Sequence, residues 1–284
     1  MITDIDLSCH QVRESDRQRL ANLIHFEPFI HRHLDWRSPL DWIGTQPFLL
    51  AERGDRLLGA LACPADPPGT RWIRLFAAAS DVAVEEVWGF LWPKVLEAIS
   101  NEKVIFIGAI PLQNWFNNLL KSSGFIQINE VILMSWDRNA SHSSRAAHPL
   151  SIRSMSIDDL VRIEEIDRKS FGPVWHNSRE TLELAYRQAA LATVAESEGE
   201  IVGYQISTAL QKGGHLARLA VDPAFQRRGI GSALLDDLLM QFSRRGAAHV
   251  TVNTQKDNRA SIALYEQFGF RKTGEAYPVF QYQP

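Results

Sequence analysis

Cysteine is nearly missing from this chain: there are two, Cys9 and Cys63, in 284 residues, and no C-x-x-C pair. That excludes a disulfide framework and a thiolate zinc site and points to a reducing compartment. An excess of basic charge is also absent. The formal net charge is −3 at pH 7, so no bulk positive field exists for nucleic acid or an anionic membrane. No apolar run approaches the ~20 residues needed to span a bilayer. The opening MITDIDLSCHQVRESDRQ carries acids and none of the apolar stretch of a secretory signal. A standard metal pattern is lacking too. His25, His31 and His33, near Glu27 and Asp35, fit no zinc spacing, and Pro28 interrupts any helix between them. These absences predict a cytoplasmic protein without a metal, whose partners are neither nucleic acid nor membrane. What is present is ordinary for a globular chain, 45% hydrophobic and 22% charged, and the length suits two domains.

A polar, aperiodic stretch from Asp137 to Pro149, DRNASHSSRAAHP, reads as a linker. Seven of the eight tryptophans precede it and all five tyrosines follow it. The two sides nevertheless resemble diverged copies of one unit. ERGDRLLGAL with Gly59 parallels ESEGEIVGYQ with Gly203, WIRLFA with Leu75 parallels LARLAV with Leu219, and LLKSSGF with Gly124 parallels YEQFGF with Gly269. The steps are 144, 144 and 145 residues, the signature of an internal repeat. The expected division is 1–136, a linker 137–149, and 150–284.

In the second half the pattern predicts a strand over Leu150–Arg153 and a helix from Ser156 through Asp167, whose first turn holds Asp158 and Asp159. A loop, SFGPVWHN, follows, then a helix over Arg179–Ala190. Strands are predicted over Leu191–Ala195, Ile201–Leu210 and His215–Val221. Ile230, Leu234, Leu238 and Phe242 recur every four residues as a core-facing helix stripe closed by Gly246. A strand over His249–Thr254, a helix from Asn258 to Gly269, and a terminal hairpin or pair of strands complete an α/β order.

Chemistry concentrates in Ala220-Val-Asp-Pro-Ala-Phe-Gln-Arg-Arg-Gly-Ile-Gly-Ser-Ala-Leu234. A strand ends, Asp222-Pro223 turns the chain, and a glycine-flanked loop opens a long helix. The first amides of such a helix lack intrahelical partners and, with the dipole, hold phosphate. Gly229 and Gly231 allow close backbone approach, and Arg227 and Arg228 add charge. A dinucleotide fingerprint would need a third glycine, and a nucleoside-triphosphate loop a Gly-Lys-Ser/Thr; neither is present.

Gln226-Arg-Arg-Gly-Ile-Gly231 resembles the coenzyme A pyrophosphate motif (Q/R-x-x-G-x-G/A) of the GNAT superfamily of N-acetyltransferases. Asn258-Arg-Ala-Ser-Ile-Ala-Leu-Tyr-Glu-Gln-Phe-Gly-Phe270 resembles that family's second signature, in the right order and spacing. The resemblance covers about the last 135 residues and is nearest in flavour to the branch that acetylates ribosomal-protein N-termini. It implies two tandem GNAT-like domains, each a mixed, mostly antiparallel sheet flanked by helices, and acetyl-CoA as cofactor. It further implies a sheet splayed open beside the strand ending at Val221, where the pantetheine arm lies. Leu219, Ala220, Val221, Gln226, Arg227, Arg228, Gly229, Ile230, Gly231, Ser232, Asn258 and Ser261 become the expected cofactor contacts.

The reaction so implied is direct attack of an amine on the thioester, the acceptor being a small molecule or a peptide. By spacing alone Tyr265 reads first as an aromatic packed on a helix's inner face beside Leu264 and Phe268; the resemblance reverses that, since Tyr265 falls where the family keeps a tyrosine near the sulfur, as acid. The ribosomal-protein branch would have a glutamate base where this chain has Asn253. The histone-acetylating branch would have one where this chain has His215, which is the expected base here and equally reads as a strand-edge histidine. His215, Leu219 and Val221 should share one strand face. Trp175 and His176 lie in the loop expected to shape the acceptor site. The first half has no G-x-G at Asp81–Trp88 and has Leu120 at the counterpart of Tyr265, so it is expected to bind no cofactor. An acyl-CoA sensor without turnover and a transferase of a longer acyl group remain open, as does a monomer against a homodimer.

Overall fold

A computed structural model of the chain describes residues 7–138, 150–211 and 213–283. The first half runs β1 (Leu7–Gln11), α1 (Arg17–Phe26), β2 (Phe29–Arg32), β3 (Phe48–Arg53), β4 (Arg56–Ala62), β5 (Thr70–Trp72), β6 (Leu75–Ala78), α2 (Val84–Ala98), β7 (Phe106–Ala109), α3 (Asn114–Ser122) and β8 (Phe125–Asp137). The second half repeats this plan. It runs β9 (Ser151–Ser154), α4 (Leu160–Trp175), α5 (Arg179–Gln188), β10 (Leu191–Ser197), β11 (Glu200–Leu210), β12 (Gly213–Val221), α6 (Ile230–Arg244), β13 (His249–Gln255), α7 (Arg259–Gln267) and β14 (Arg271–Tyr282).

The repeat extends to irregularities. The β3–β4 ladder shifts register between Ala51 and Glu52, and the β10–β11 ladder between Ala195 and Glu196, 144 residues later. The parallel pair Thr70↔Phe106 recurs as Gly214↔Val250 at the same step. Gly124 and Gly269 both end a helix at positive φ, 82° and 86°, where a side chain would be strained. One sequence match moves by a residue. Leu75 lies opposite Ala62, whereas Leu219 lies opposite Gln205, the counterpart of Leu61. Leu75 therefore aligns with Arg218, because β12 carries a single-residue bulge where the first half interrupts its strand at Ile73 and Arg74.

Two compact units result, and they do not divide at the linker. Residues 129–138 belong to the second unit and residues 278–283 to the first. The sequence boundaries at 136 and 150 missed this because β8 and β14 are equivalent copies, and strand pairing is not written in local sequence. Asp137, assigned to the linker, is the last residue of β8; linker residues 139–149 lie outside the described residues. The C-terminal segment, expected as a hairpin or pair of strands, is one strand, β14.

In the first unit the sheet order is β1-β3-β4-β6-β2, and β7 pairs with β5 and with residues 280–281 of β14. Alternation splits the core across the sheet. Leu50, Ala60, Ala62, Leu75 and Ala77 face α1, while Leu49, Leu61, Phe76 and Ala78 face α2 and α3. Both edges of β6 are paired: β4 on one side, and on the other β2, with Phe29↔Ala78 through Arg32↔Leu75. Of the histidines considered for a metal, His25 is exposed, and His31 and His33 each stack on an aromatic ring. His31 is buried, donates from Nε2 to the Ile73 carbonyl (3.1 Å) and stacks at 4.1 Å on Phe116. Burial pushes its pKa down to about 4.

In the second unit the order is β8-β13-β12-β11-β10-β9. Among the described residues of this unit only β12 and β13 are parallel, and they pair from Gly213↔His249 to Leu216↔Val252. Beyond Leu216, β12 keeps β11 as partner to Val221, and its other edge is left by β13. The expected splay is thus present. A Cβ added at Gly203 would meet Ile230 and Leu234 of α6, whereas Tyr204, on the opposite face, bonds Asp167 of α4, so the helices lie on both faces. β8 supplies the far edge, from Val131↔Gln255 to Asp137↔His249, and inserts Ile132, Met134 and Trp136 into the core with α6 and α7.

A fragment 150–284 therefore lacks an edge strand. Each large apolar side chain is worth about 1.5–3 kcal/mol when buried, so losing three approaches the ~5–15 kcal/mol stability of a whole domain and bares the edge of β13. The expected outcome is that 150–284 is insoluble or melts far below 129–284. Equal melting curves would show that β8 is dispensable.

Candidate active site in the second unit

The corner after β12 is fastened first. Asp222 accepts from Ala224 N (3.1 Å) and from Arg162 Nη2 (2.8 Å). The chain then runs Pro223–Phe225 as a 3-10 turn into an exposed loop. Arg227 (φ 63°) and Gly229 (φ 82°) are both left-handed, so successive amides turn toward one side as in an anion-binding nest. Gly229 is the N-cap of α6 and makes no side-chain cap bond. Among the described residues, the amides of Arg227, Arg228, Gly229, Ile230, Gly231 and Ser232 meet no backbone acceptor. This run of free N–H groups, at a helix start, fits a pyrophosphate. A Cβ at Gly231 would lie 3.4 Å from Leu264 Cδ2 and 3.8 Å from Val221 Cγ2, ordinary contact, so what glycine gains there is access from outside.

The open strand edge leads to this loop. Asp222 N bonds Val202 O. By the alternation of an antiparallel ladder, Ala220 turns its backbone groups toward β11, and Leu219 and Val221 turn theirs toward the opening. The Val221 carbonyl takes Ser170 Oγ and Gln226 Nε2, each at 3.1 Å. Asn258 and Ser261 serve each other: the Asn258 side chain caps α7 by accepting from Ser261 N at 3.1 Å. The expected cofactor residues thus gather along one route, Leu219–Val221, Gln226–Ser232 and the start of α7, around the mouth of the splay.

Tyr265 lies on α7, buried among Leu216, Val250, Val252 and Phe270. Its hydroxyl has no partner among the described residues. Burial raises its pKa above the usual phenol value, so it holds its proton at neutral pH. His215 lies elsewhere. The β11–β12 ladder leaves Ala217 unmatched between Ser207↔Leu216 and Ile206↔Arg218. That bulge inverts the alternation. His215 therefore shares a face with Arg218 and Ala220, not with Leu219 and Val221 as uninterrupted alternation predicts, and it is on the side of the sheet opposite Tyr265. It sits in the closed part of the splay, with Nδ1 2.9 Å from Thr251 Oγ1, and burial lowers its pKa. Asn253 continues that face along β13, and its buried Oδ1 has no hydrogen-bond partner among the described residues.

The loop with Trp175 and His176 is largely a continuation of α4. The helix breaks at Gly172 (φ 68°, ψ −174°), just before Pro173, and resumes to Trp175. His176 Nδ1 lies 2.8 Å from the Gly172 carbonyl. A carbonyl only accepts, so in the neutral imidazole Nδ1 carries the hydrogen and Nε2 keeps its lone pair.

Sequence reading missed the polar centre under this loop. Asp167, fully buried, takes Arg218 Nε at 2.7 Å on Oδ2 and Arg218 Nη2 at 2.8 Å on Oδ1. Asn177 N adds 2.7 Å on Oδ1, and the Tyr204 hydroxyl donates to Oδ2. Arg218 Nη2 also reaches the Trp175 carbonyl at 2.7 Å, and its guanidinium stacks 3.5 Å from the Phe171 ring centroid. The available signal was a charge at a buried helix position beside Leu160, Ile163 and Ile166.

A family model described as Acetyltransferase (GNAT) family matches residues 160–270. The ribosomal protein bS18 alanine N-acetyltransferase of Escherichia coli is 30% identical over 122 residues, covering 43% of this chain and 81% of that protein. The chain belongs to the GNAT acetyltransferase family. Among other GNAT relatives, the N-alpha-acetyltransferase RimI of Mycobacterium tuberculosis is 33% identical over 132 residues, 44% of this chain and 81% of its own. By this membership the chain is an N-acetyltransferase. A solved tandem GNAT protein from the clavulanic acid biosynthesis pathway aligns over 98% of this chain and 99% of its own, with TM-score 0.62 and 14% identity, which shows the two-unit fold. Among the described residues no helix is long and apolar enough to cross a membrane.

Removing one member of a buried ion pair leaves the other charge unmatched, at about 3–5 kcal/mol. Asp167→Ala should lower the unfolding free energy by that amount in denaturant titrations. A loss under about 1 kcal/mol would mean that Arg218 reaches water instead.

Proposed function

We propose that the second unit moves an acetyl group from acetyl-CoA to a primary amine of a small molecule or peptide, and that the first unit binds no coenzyme A. One observation carries this reading: the open edge of β12 at Leu219 and Val221 runs into six amides without backbone partners. Those are two sets of backbone donors, one for a pantetheine arm and one for its pyrophosphate, separated by the bonded corner 222–225. In the first unit the matching edge of β6 is paired with β2. Phe116, aligned with Ser261, fills the space above it, 5.9 Å from Phe76.

Bound acetyl-CoA supplies the activated acyl thioester; the chain supplies orientation and proton transfer. Tyr265 donates its hydroxyl proton to the departing sulfur as the C–S bond breaks. A histidine takes the amine's proton as the C–N bond forms. His176 is better suited than His215: it lies on the acceptor loop with Nε2 available, whereas His215 is tied to Thr251 in the closed ladder. A second reading, an acyl-CoA-binding protein without turnover, draws on Asn253 standing where the ribosomal-protein branch would have a glutamate. Thiol release with a panel including a peptide of free N-terminal alanine, glucosamine and a polyamine separates the two. Repeating it with longer acyl donors tests acyl-chain range.

Calorimetry should give one coenzyme A per chain. Gly231→Glu should abolish binding without changing the melting temperature, since the added carboxylate repels phosphate outside the core. Two equivalent sites per chain would overturn the assignment of the first unit.

The pH profile identifies the proton carriers. Loss of one acid–base group costs about 10²–10⁴ in rate. Tyr265→Phe should lower kcat by that factor without moving the acidic limb, and His176→Ala should lower kcat and remove that limb. If His215→Ala moves the limb instead, His215 is the base, and the wild-type limb should lie below the usual histidine value because burial disfavours its cation.

A further inference from the structure

The repeat places opposite chemistry at one set of positions. The capping turns that end in Asp16 and Asp159 set a step of 143 residues along the first helix of each unit, which aligns Ile24 with Asp167. The ladders align Ala60 with Tyr204 and Leu75 with Arg218. Ile24, Ala60 and Leu75 lie together in one apolar cluster. Asp167, Tyr204 and Arg218 lie together as a hydrogen-bonded ionic set. The fold therefore closes at these positions without charge, and apolar replacement of a buried ion pair is often neutral or stabilising. Fold stability does not account for the charged set.

What it does, and an apolar set could not, is hold backbone. Asp167 accepts from the Asn177 amide and Arg218 donates to the Trp175 carbonyl, each at 2.7 Å. Phe171 is held under the guanidinium. Both ends of the 171–177 segment are thereby fastened to position 218 of β12, two residues before Ala220, and Ser170 adds a bond to the Val221 carbonyl. The loop that would meet the amine is tied to the strand that would hold the thioester.

We propose that Arg218, held by Asp167 and Tyr204, is a positioning residue for the acceptor: it sets the distance between the 171–177 loop and the cofactor strand. This rests on the transferase reading above. Reacting atoms must approach to about 3–3.5 Å, and a misplacement of about 1 Å costs about 10²-fold. Arg218 touches neither reactant in this account; it acts through the Trp175 carbonyl and the Asp167–Asn177 bond. Lysine cannot replace it, since a single ammonium lacks the planar fork that engages Asp167 twice and Trp175 at once.

The test uses the full chain, with the alanyl peptide and glucosamine as acceptors. Two variants are compared with wild type: Arg218→Lys, and the pair Asp167→Ile with Arg218→Leu, which puts the first unit's apolar residues at the two charged positions. Three quantities are read: coenzyme A affinity by calorimetry, amine transfer, and hydrolysis of acetyl-CoA without amine. The expected result is coenzyme A affinity within threefold of wild type, kcat/KM for the amine down about 100-fold, and hydrolysis unchanged or raised because water needs no loop. Amine transfer within threefold of wild type in the double variant overturns the proposal. Parallel loss of transfer, hydrolysis and coenzyme A binding also overturns it, by showing that Arg218 serves the cofactor strand alone. If wild type itself neither binds coenzyme A nor acetylates either amine, the underlying reading fails, and that is known before any variant is made.

Discussion

Past Leu216, β12 has a hydrogen-bonding partner on one side only. Backbone donors and acceptors in a sheet are nearly always paired, so an edge opened inside a sheet, between two neighbouring strands, is a standing cost that the fold must arrange for. The rest of the second unit is organised around it. The Asp222 corner ends the strand, the left-handed residues Arg227 and Gly229 turn the next amides outward, and α6 starts with nothing capping it. The corner's own groups are bonded, and the amides of residues 227–232 beyond it are left uncommitted.

The first unit meets the same opening differently. Its β6 diverges from β7 as β12 does from β13, but β2 lies along the free edge. Around it, positions that carry small or polar side chains in the second unit carry aromatic or aliphatic ones: Phe116 for Ser261, Leu120 for Tyr265, Leu75 for Arg218. Two copies of one fold thus differ by whether a strand edge is filled from within the chain, and the side chains nearby have followed that difference.

Much of this was legible in the chain's letters because it is local. Gln226–Gly231 and Asn258–Phe270 are contiguous, and their glycines and caps act on immediate neighbours. The 144-residue step was visible because Gly59, Gly203, Gly124 and Gly269 answer to backbone geometry that no other residue supplies cheaply. What escaped is non-local. A bulge at Ala217 leaves no mark in composition, yet it turns His215 to the other face of the sheet. The joining of Asp167 to Arg218 spans 51 residues, and neither residue is unusual until the two meet. β2 reads as four residues after Pro28, and only its pairing makes it the occupant of a groove. The exchange of β8 and the end of β14 is invisible for a related reason: the two strands are homologous, and either could answer to either sheet.

That exchange bears on how the protein is made. The edge of β7 is paired by residues 280 and 281, and the edge of β13 by residues 131–137. During synthesis from the N-terminus, the earlier half cannot finish its sheet until residues 280 and 281 have left the ribosome. The later half, by contrast, emerges to find its missing strand already waiting. The earlier half must therefore remain soluble in the meantime with β7 unpaired on that side.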